Sequence, residues 1–354
     1  IPETSDQGSR FPLEVAQDLD IGSNTVQAYS ISPENEYFSV SYGSRSEDDK
    51  YVELVLEKPL DREELAEMSF SVIAVDGGSP PRTGTTEVEI VILDANDNAP
   101  IFKHERFFGK VLENMPEGSV VLTVLARDQD AGVYGEISYQ FSQAMGHSSS
   151  AFVIDPITGE IKLTKPLDFE EADTYELRVR ARDGGGLSAI CKVLVEVVDV
   201  NDNAPEVVVS SFSSPLPENT APGTVVALFT VRDRDSGANG KISCGLEDQL
   251  FFSLRPAYKN YYELYLELVL EKPLDREEQA EMGFRVIAVD GGSPPRTGTT
   301  EVKIVILDVN DNAPVFTQAV YIGKVLENMP EGSVVLMVLA MDQDAGVNGE
   351  ISYQ

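Results

Sequence analysis

The sequence predicts an all-β fold, a tandem array of Greek-key β-sandwich domains in an extended rod, and three observations carry that expectation. Apolar and polar residues alternate over short runs, as strands with one face on a core require. A closing acidic string recurs at nearly even intervals, "DANDNAP" at 94–100 and "DVNDNAP" at 199–205 and 308–314. No apolar stripe of helical period is sustained anywhere in the chain.

The elements follow in order. "TTEVEIVILD" sets Val88, Ile90 and Ile92 against Glu87, Glu89 and Val91, and "CKVLVEVVD" and "TEVKIVILD" repeat the pattern. Gly and Pro clusters such as Gly77-Gly78-Ser79-Pro80-Pro81 separate these runs as turns. The closing strings cut the chain into units of common domain size, 1–99, 100–204 and 205–313, with a partial unit at 314–354. Strand pattern resumes within a few residues of each "NDNAP", so no flexible linker is expected.

Repetition runs deeper than the closing string. Residues 51–140 and 265–354 overlay without a gap and share "EKPLDREE", "VIAVDGGSPPRTGTTEV" and "GKVLENMPEGSVVL" letter for letter. The middle unit keeps the landmarks with different filling, "PLDFEE" and "RARDGGG".

Composition narrows the function. With 42% hydrophobic residues the 354-residue chain can build packed cores, which a disordered chain of this charge could not. The net charge of −33, from 60 acidic against 27 basic residues, excludes nucleic acid as the natural partner and favours cations. A solvated, repulsive surface would give the same total, so the positions of the acids must decide. Cys191 and Cys244 fall in different units, which argues against a disulfide framework. The chain has no leader-like segment and no membrane-spanning apolar run, and its opening and closing residues read as those of a piece cut from something longer.

The acids recur at fixed landmarks. Each unit begins with a Glu: Glu3, Glu113, Glu218 and Glu327. An Asp-x-Asp pair follows, at Asp18 and Asp20, Asp128 and Asp130, Asp233 and Asp235, and Asp342 and Asp344. Then come an Asp-x-Glu pair (Asp61 and Glu63, Asp168 and Glu170, Asp275 and Glu277) and a lone Asp before glycines (Asp76, Asp183, Asp290). In a sandwich the first Glu, the Asp-x-Glu and the closing string share one pole, and the Asp-x-Asp and lone Asp the other. End-to-end stacking then gathers Glu3, Asp61, Glu63, Asp94, Asp97, Asp128, Asp130 and Asp183 at one boundary.

Two like charges 4 Å apart repel by about 4 kcal/mol at an effective dielectric near 20, so such a crowd requires cations. Oxygen-only donors without His or Cys select Ca²⁺, which accepts about six to eight oxygens. An EF-hand fails on spacing, because the sixth and twelfth positions counted from Asp128 are Val133 and Tyr139 instead of Gly and Glu.

Together "LDRE", "ARDGGG", "DQDAGVNG" and "DVNDNAP" resemble the extracellular repeats of cadherins. "FPLEVAQDLDIGSNTVQAYSISPENEYFSV", "YVELVLEKPLDREE" and "VDGGSPPRTGT" resemble those of a clustered protocadherin, with 1–99 like its second repeat and 100–204 like its third. The resemblance implies Ca²⁺ ligands at three boundaries. The first would use Glu3, Asp61, Glu63, Asp94, Asn96, Asp97, Asp128, Asp130 and Asp183 with carbonyls of Ala95, Asn98 and Tyr134. The second would use Glu113, Asp168, Glu170, Asp199, Asn201, Asp202, Asp233, Asp235 and Asp290 with carbonyls of Val200, Asn203 and Asn239. The third would use Glu218, Asp275, Glu277, Asp308, Asn310, Asp311, Asp342 and Asp344 with carbonyls of Val309, Asn312 and Asn348. Asp18, Asp20, Asn24 and Asp76 form the matching far-pole set of the first repeat.

Two departures stand out. Phe169 replaces Arg62 and Arg276 between two ligands, where the side chain is expected to point away. Residues 205 to about 264 resemble a fourth repeat, yet the text from Tyr265 reverts to the second, so the third unit reads as a hybrid. Phe38–Asp61 and Phe252–Asp275 are equally spaced, so the hybrid is expected to close its sandwich with some mispacking where unlike halves meet.

No enzyme is expected. His104 and His147 are the sole histidines, the copy carries Gln318 where His104 stands, and no nucleophile–base arrangement is visible. The resemblance implies calcium-dependent cell–cell adhesion by homophilic, antiparallel recognition, with related protocadherins as partners in cis. It also implies an extracellular setting at the plasma membrane, where weak Ca²⁺ sites of about 10⁻⁴ to 10⁻³ M would be filled. A calcium-stiffened spacer without adhesion, or a heterophilic binding module, is the alternative. "FKHERFF" (102–108) against "FTQAVYI" (316–322) marks a strand where partner choice is expected to be sensitive.

Overall fold

The computed structural model describes residues 1–46, 49–142, 150–260 and 263–354; His147 lies outside the described residues. The chain folds as two compact units, Ile1–Asp168 with Ala172–Val197, and Phe169–Glu171 with Val198–Gln354. A 3₁₀ turn spans Gly22–Asn24, and among the described residues no helix is long and apolar enough to cross a membrane.

The first unit holds two sandwiches. In the first, Arg10–Leu13, Asp49–Leu56 and Phe38–Ser46 form one sheet, and Val26–Ser32, Glu67–Asp76 and Thr83–Val91 the other. Their period-2 patterns face inward to bury Phe38, Leu54, Leu56, Phe70, Val72 and Ile90. Val91 stays exposed beside buried Ile90 and Ile92, as the alternation requires. In the second, Ser138–Phe141, Thr174–Arg182, Ser188–Val198 and Arg106–Leu112 pack over Phe152–Ile154, Glu160–Leu163 and Val120–Thr123. Cys191 is buried there and its thiol is pushed up to about 11 by burial, so it behaves as a small core residue.

The second unit contains the hybrid, which closes around a single core. Val226, Phe229, Val231 and Phe252 from before the seam pack with Leu266, Leu268, Phe284, Val286 and Ile304 from after it. The ladder crosses the seam with a bulge between Pro256 and Tyr258. Phe252 stacks on Phe284 with ring centroids 5.5 Å apart, against 6.1 Å for Phe38 and Phe70 at the same places in the first repeat. The unlike halves thus meet without losing the aromatic pair. Cys244 is partly buried against the same core, with its thiol also pushed up to about 11.

In 314–354, Val315–Phe316 pairs antiparallel with Ala340–Met341.

Candidate metal centres at the repeat boundaries

Three local devices gather the acids of the first boundary. A parallel bridge of Pro2 to Leu93 lays the N-terminal segment along the last strand, and Glu3 N donates to Leu93 O at 3.0 Å. Glu3 is thereby buried, its Oε1 accepting from Ala95 N at 2.5 Å and its Oε2 from Arg62 N at 2.8 Å. Asp61 Oδ1 accepts from Glu63 N at 3.0 Å and Glu64 N at 3.2 Å, closing the turn that presents Glu63. The closing string then reaches the second repeat. Asp94 Oδ2 accepts from Ala131 N at 2.9 Å, and Asn98 Nδ2 donates to Asp97 Oδ1 at 2.8 Å and Asp130 Oδ1 at 2.9 Å. Asp130 N donates to Asp128 Oδ1 at 3.0 Å, so that pair is ordered by its own turn.

The result is a dense oxygen set. One oxygen from each of Glu3, Glu63 and Asp94 lies within 4.8 Å of the other two, and Glu63, Asp97 and Asp130 form a second such triple. Asn96 presents its amide oxygen only to acceptors; turning the amide would bring its nitrogen to 3.0 Å from Asp183 Oδ2 and 3.1 Å from Asp130 Oδ2. Gly185 leaves room for it, since a Cβ there would stand 2.1 Å from Asn96 Nδ2.

The second unit repeats the design. Glu218 is buried, with Oε1 accepting from Val309 N at 2.6 Å and Oε2 from Arg276 N at 2.8 Å. Glu218, Glu277 and Asp308 form a triple, Asn312 Nδ2 donates to Asp311 Oδ1 and Asp344 Oδ1 at 2.9 Å each, and Asp342 Oδ1 accepts from Asp344 N at 3.0 Å. Asp275 Oδ1 accepts from Glu278 N at 3.1 Å, matching Asp61.

Of the middle set, Glu113 and Asp168 belong to the first unit, where Glu113 is fully buried, and the remainder to the second. There Glu170, Asp199 and Asp235 form a triple, and Asn203 Nδ2 donates to Asp202 Oδ1 at 2.7 Å and Asp235 Oδ1 at 2.8 Å. At the far pole of the first repeat, Asp18 Oδ1 accepts from Asp20 N at 2.9 Å, Asp76 Oδ1 accepts from Gly78 N at 3.0 Å, and Asn24 ends the 3₁₀ turn.

Two contributions escaped sequence reasoning. Arg62 and Arg276 fold onto the ligands beside them: each guanidinium pairs with the following Glu and with the closing Asp, Glu63 and Asp94 in one case, Glu277 and Asp308 in the other. The expectation that this position points outward fails at both arginines, because a crowded carboxylate set draws in the neighbouring positive charge. Asn239 and Asn348 also contribute side chains, Nδ2 donating to Asp199 Oδ2 at 3.1 Å and to Asp308 Oδ2 at 2.8 Å. Tyr134, their counterpart, cannot.

The electrostatics describe sites that want positive charge. Burial, then the charge of Glu3, holds the Glu63 carboxyl above the ordinary range, and burial with Glu3, Asp130 and Asp61 does the same for Asp97. Asp233, Asp235, Glu277 and Asp311 are raised for the same reasons, burial first. Asp308 goes the other way: burial acts to raise it, and hydrogen bonds from Asn348, Ala345 N and Arg276 outweigh that. Asp128 Oδ2, Asp199 Oδ1, Asn201 Oδ1, Asp233 Oδ2 and Asp290 Oδ2 are buried oxygens without a hydrogen-bond partner. A buried acceptor left bare costs about 1–3 kcal/mol, and a hard cation would satisfy several at once. The donor set, oxygen throughout, fits such an ion.

Comparisons with known proteins agree with this geometry. The family profile described as "Cadherin domain" matches residues 1–93, 107–198 and 212–307. Protocadherin beta-1 of Homo sapiens is 48% identical over 353 residues, covering 100% of this chain and 42% of that protein. Among solved structures, Protocadherin Gamma B2 extracellular cadherin domains 1–5 superposes with a TM-score of 0.91 at 44% identity, covering 99% of this chain and 65% of that one. The Protocadherin GammaB4 extracellular domain gives 0.93 at 41% identity, covering 99% and 54%. The chain thus spans less than half the length of that human relative. With the family profile matched three times along an all-β chain whose oxygen clusters recur at each repeat end, the protein belongs to the cadherin family.

Proposed function

We propose that this chain is part of an ectodomain mediating calcium-dependent cell–cell adhesion through homophilic recognition, with Ca²⁺ rigidifying the boundaries between its repeats. The repeats are 1–99, 100–204, 205–313 and the partial 314–354. The observation that carries the reading is the recurrence of oxygen-only triples, Glu3–Glu63–Asp94 and Glu218–Glu277–Asp308, in equivalent places. When bound, Ca²⁺ would supply the positive charge that raised carboxyls such as Asp97 and Asp311 call for. The three ligand sets named from the sequence would hold it, with Asp18, Asp20, Asn24 and Asp76 serving a repeat on the N-terminal side.

Homophilic adhesion is the family reading, supported by the match of 99% of this chain to clustered protocadherin ectodomains. The partner is a second copy on an apposed cell, met antiparallel, and related protocadherins in cis; one relative, Protocadherin gammaB7 EC3-6, is described as a cis-dimer structure. The setting is the extracellular side of the plasma membrane, where millimolar Ca²⁺ fills sites of this class. The test is aggregation of cells displaying the full ectodomain, alone and mixed with close relatives. Aggregation that needs calcium and sorts by identity is expected; calcium-independent or unsorted behaviour would favour a spacer or a heterophilic module.

A further inference from the structure

Arg62 and Arg276 do more than pair with neighbouring acids, because each also reaches the repeat that follows. Arg62 Nε donates to Asp94 Oδ1, and its Nη2 donates to Glu63 Oε1 at 2.5 Å and to the main-chain oxygen of Gln129 at 2.9 Å. Gln129 lies between Asp128 and Asp130, so one guanidinium joins the Asp-x-Glu turn, the closing string and the Asp-x-Asp turn of the next repeat. Arg276 repeats the fork: Nε donates to Asp308 Oδ1 at 2.6 Å, and Nη2 donates to Glu277 Oε1 at 2.8 Å and to Gln343 O at 3.4 Å. Isolated ion pairs on an open surface contribute little. Here each guanidinium and its carboxylates are 19% exposed or less, and two pairs and a carbonyl share one rigid fork.

Both forks sit on oxygens named above as calcium ligands. Glu63 and Asp94 are two of the three members of Glu3–Glu63–Asp94, and Glu277 and Asp308 are two of the three in Glu218–Glu277–Asp308. In the second ligand set the same place holds Phe169, whose phenyl ring brings neither charge nor donor. The first and third sets differ in what remains when the fork leaves. Asp308 keeps hydrogen bonds from Asn348 Nδ2 at 2.8 Å and Ala345 N at 3.0 Å, while Asp94 keeps that from Ala131 N at 2.9 Å, since Tyr134 stands where Asn348 offers its amide.

We propose that Arg62 and Arg276 are tethered counterions that compete with calcium: without calcium each fork holds the closing string to the next repeat, and calcium binding requires the fork to leave. This rests on the calcium reading above and adds the residues that set its strength at two of the three boundaries. A fixed positive charge on two ligands lowers their affinity for a further cation, because the attraction already satisfied there has to be given up. The same charge offsets repulsion among Glu3, Glu63 and Asp94, so scarce calcium does not leave the boundary as bare like charges. The arginine thus acts in opposite senses on two quantities, raising order without calcium and lowering affinity for it. Phe169 does neither at the second set.

The test is hydrogen exchange of the full chain over a titration from chelator to millimolar calcium, read separately for 94–100 with 128–134, for 199–205, and for 308–314 with 342–348. R62M keeps an apolar stem and removes the charge. Its first boundary is expected to lose about fivefold or more of its protection in chelator and to reach half-protection at about threefold less calcium, with the third boundary unchanged. R276M is expected to move the third boundary in the same two directions, with a smaller loss in chelator because Asn348 still holds Asp308. R62K should restore the calcium midpoint and not the protection in chelator, since one ammonium cannot span Glu63, Asp94 and Gln129 O. F169R should raise the calcium midpoint of 199–205 by about threefold. Should F169R fail to fold, the two arginine variants decide the matter. Protection lost equally at every calcium level in R62M would mark a merely structural role and overturn the proposal, and so would a midpoint that stays or rises. Either result leaves calcium binding itself standing. Exchange that ignores calcium at every boundary of the unaltered chain would overturn the calcium reading and this proposal together.

Discussion

Asp235→Asn should act in opposite directions with and without calcium. Asp235 is buried, accepts from Asn203 N and Nδ2, and places one oxygen within 4.8 Å of oxygens on Asp199 and Glu170. At that distance each like-charge pair costs about 3.5 kcal/mol at an effective dielectric near 20, and solvent at the exposed Glu170 cuts this to about 1 kcal/mol or so. Neutralising Asp235 therefore relieves about 1–2 kcal/mol of repulsion in the ion-free protein, worth a rise of about 5–10 °C in the melting temperature of a hundred-residue domain. With calcium present the balance reverses. A divalent ion about 2.4 Å from a carboxylate gains about 14 kcal/mol per contact at the same dielectric before desolvation, several times the repulsion removed. Calcium affinity at that boundary should fall at least about tenfold. Scanning calorimetry in chelator and in millimolar calcium reads both arms. An unchanged calcium-induced shift, or a loss of stability in chelator equal to that in calcium, would refute the reasoning.

Three further outcomes follow. Glu63, Asp97, Asp233, Asp235, Glu277 and Asp311 sit above the ordinary carboxyl range, so they favour the ion-free fold at low pH and oppose it as pH rises through their folded values. Calcium uptake should then release protons and weaken as pH falls toward that range, seen as buffer-dependent heats in titration calorimetry; heats independent of the buffer would contradict this. Ile304→Ala in the hybrid repeat, at a fully buried position among residues from both sides of the seam, should cost about 2–5 kcal/mol and lower one cooperative transition. Two separate transitions in that repeat would mean the halves do not share a core. Gly292→Ala should weaken calcium binding, because its Cβ would stand 2.0 Å from Asn201 Nδ2 and displace that amide; unaltered affinity would show that Asn201 is not a ligand.

The strands and the grouping of acids were legible in the sequence because both rest on local spacing. Alternation around Val88–Ile92 gives the buried face directly, and one landmark set repeated three times places Glu3, Asp61 and Asp94 at one pole. The behaviour of Arg62 and Arg276 was not legible, because a residue between two ligands looks outward-facing until the uncompensated charge around it is counted in space.

Diffraction from crystals grown in millimolar calcium, with anomalous scattering to locate the ions, addresses the central claim most directly. Ions bound among Glu3, Glu63, Asp94, Asp97 and Asp130, and at the matching positions of the later boundaries, are the result predicted. Boundaries in which the carboxylates close on Arg62 and Arg276 alone, with no ion at full calcium, would contradict it.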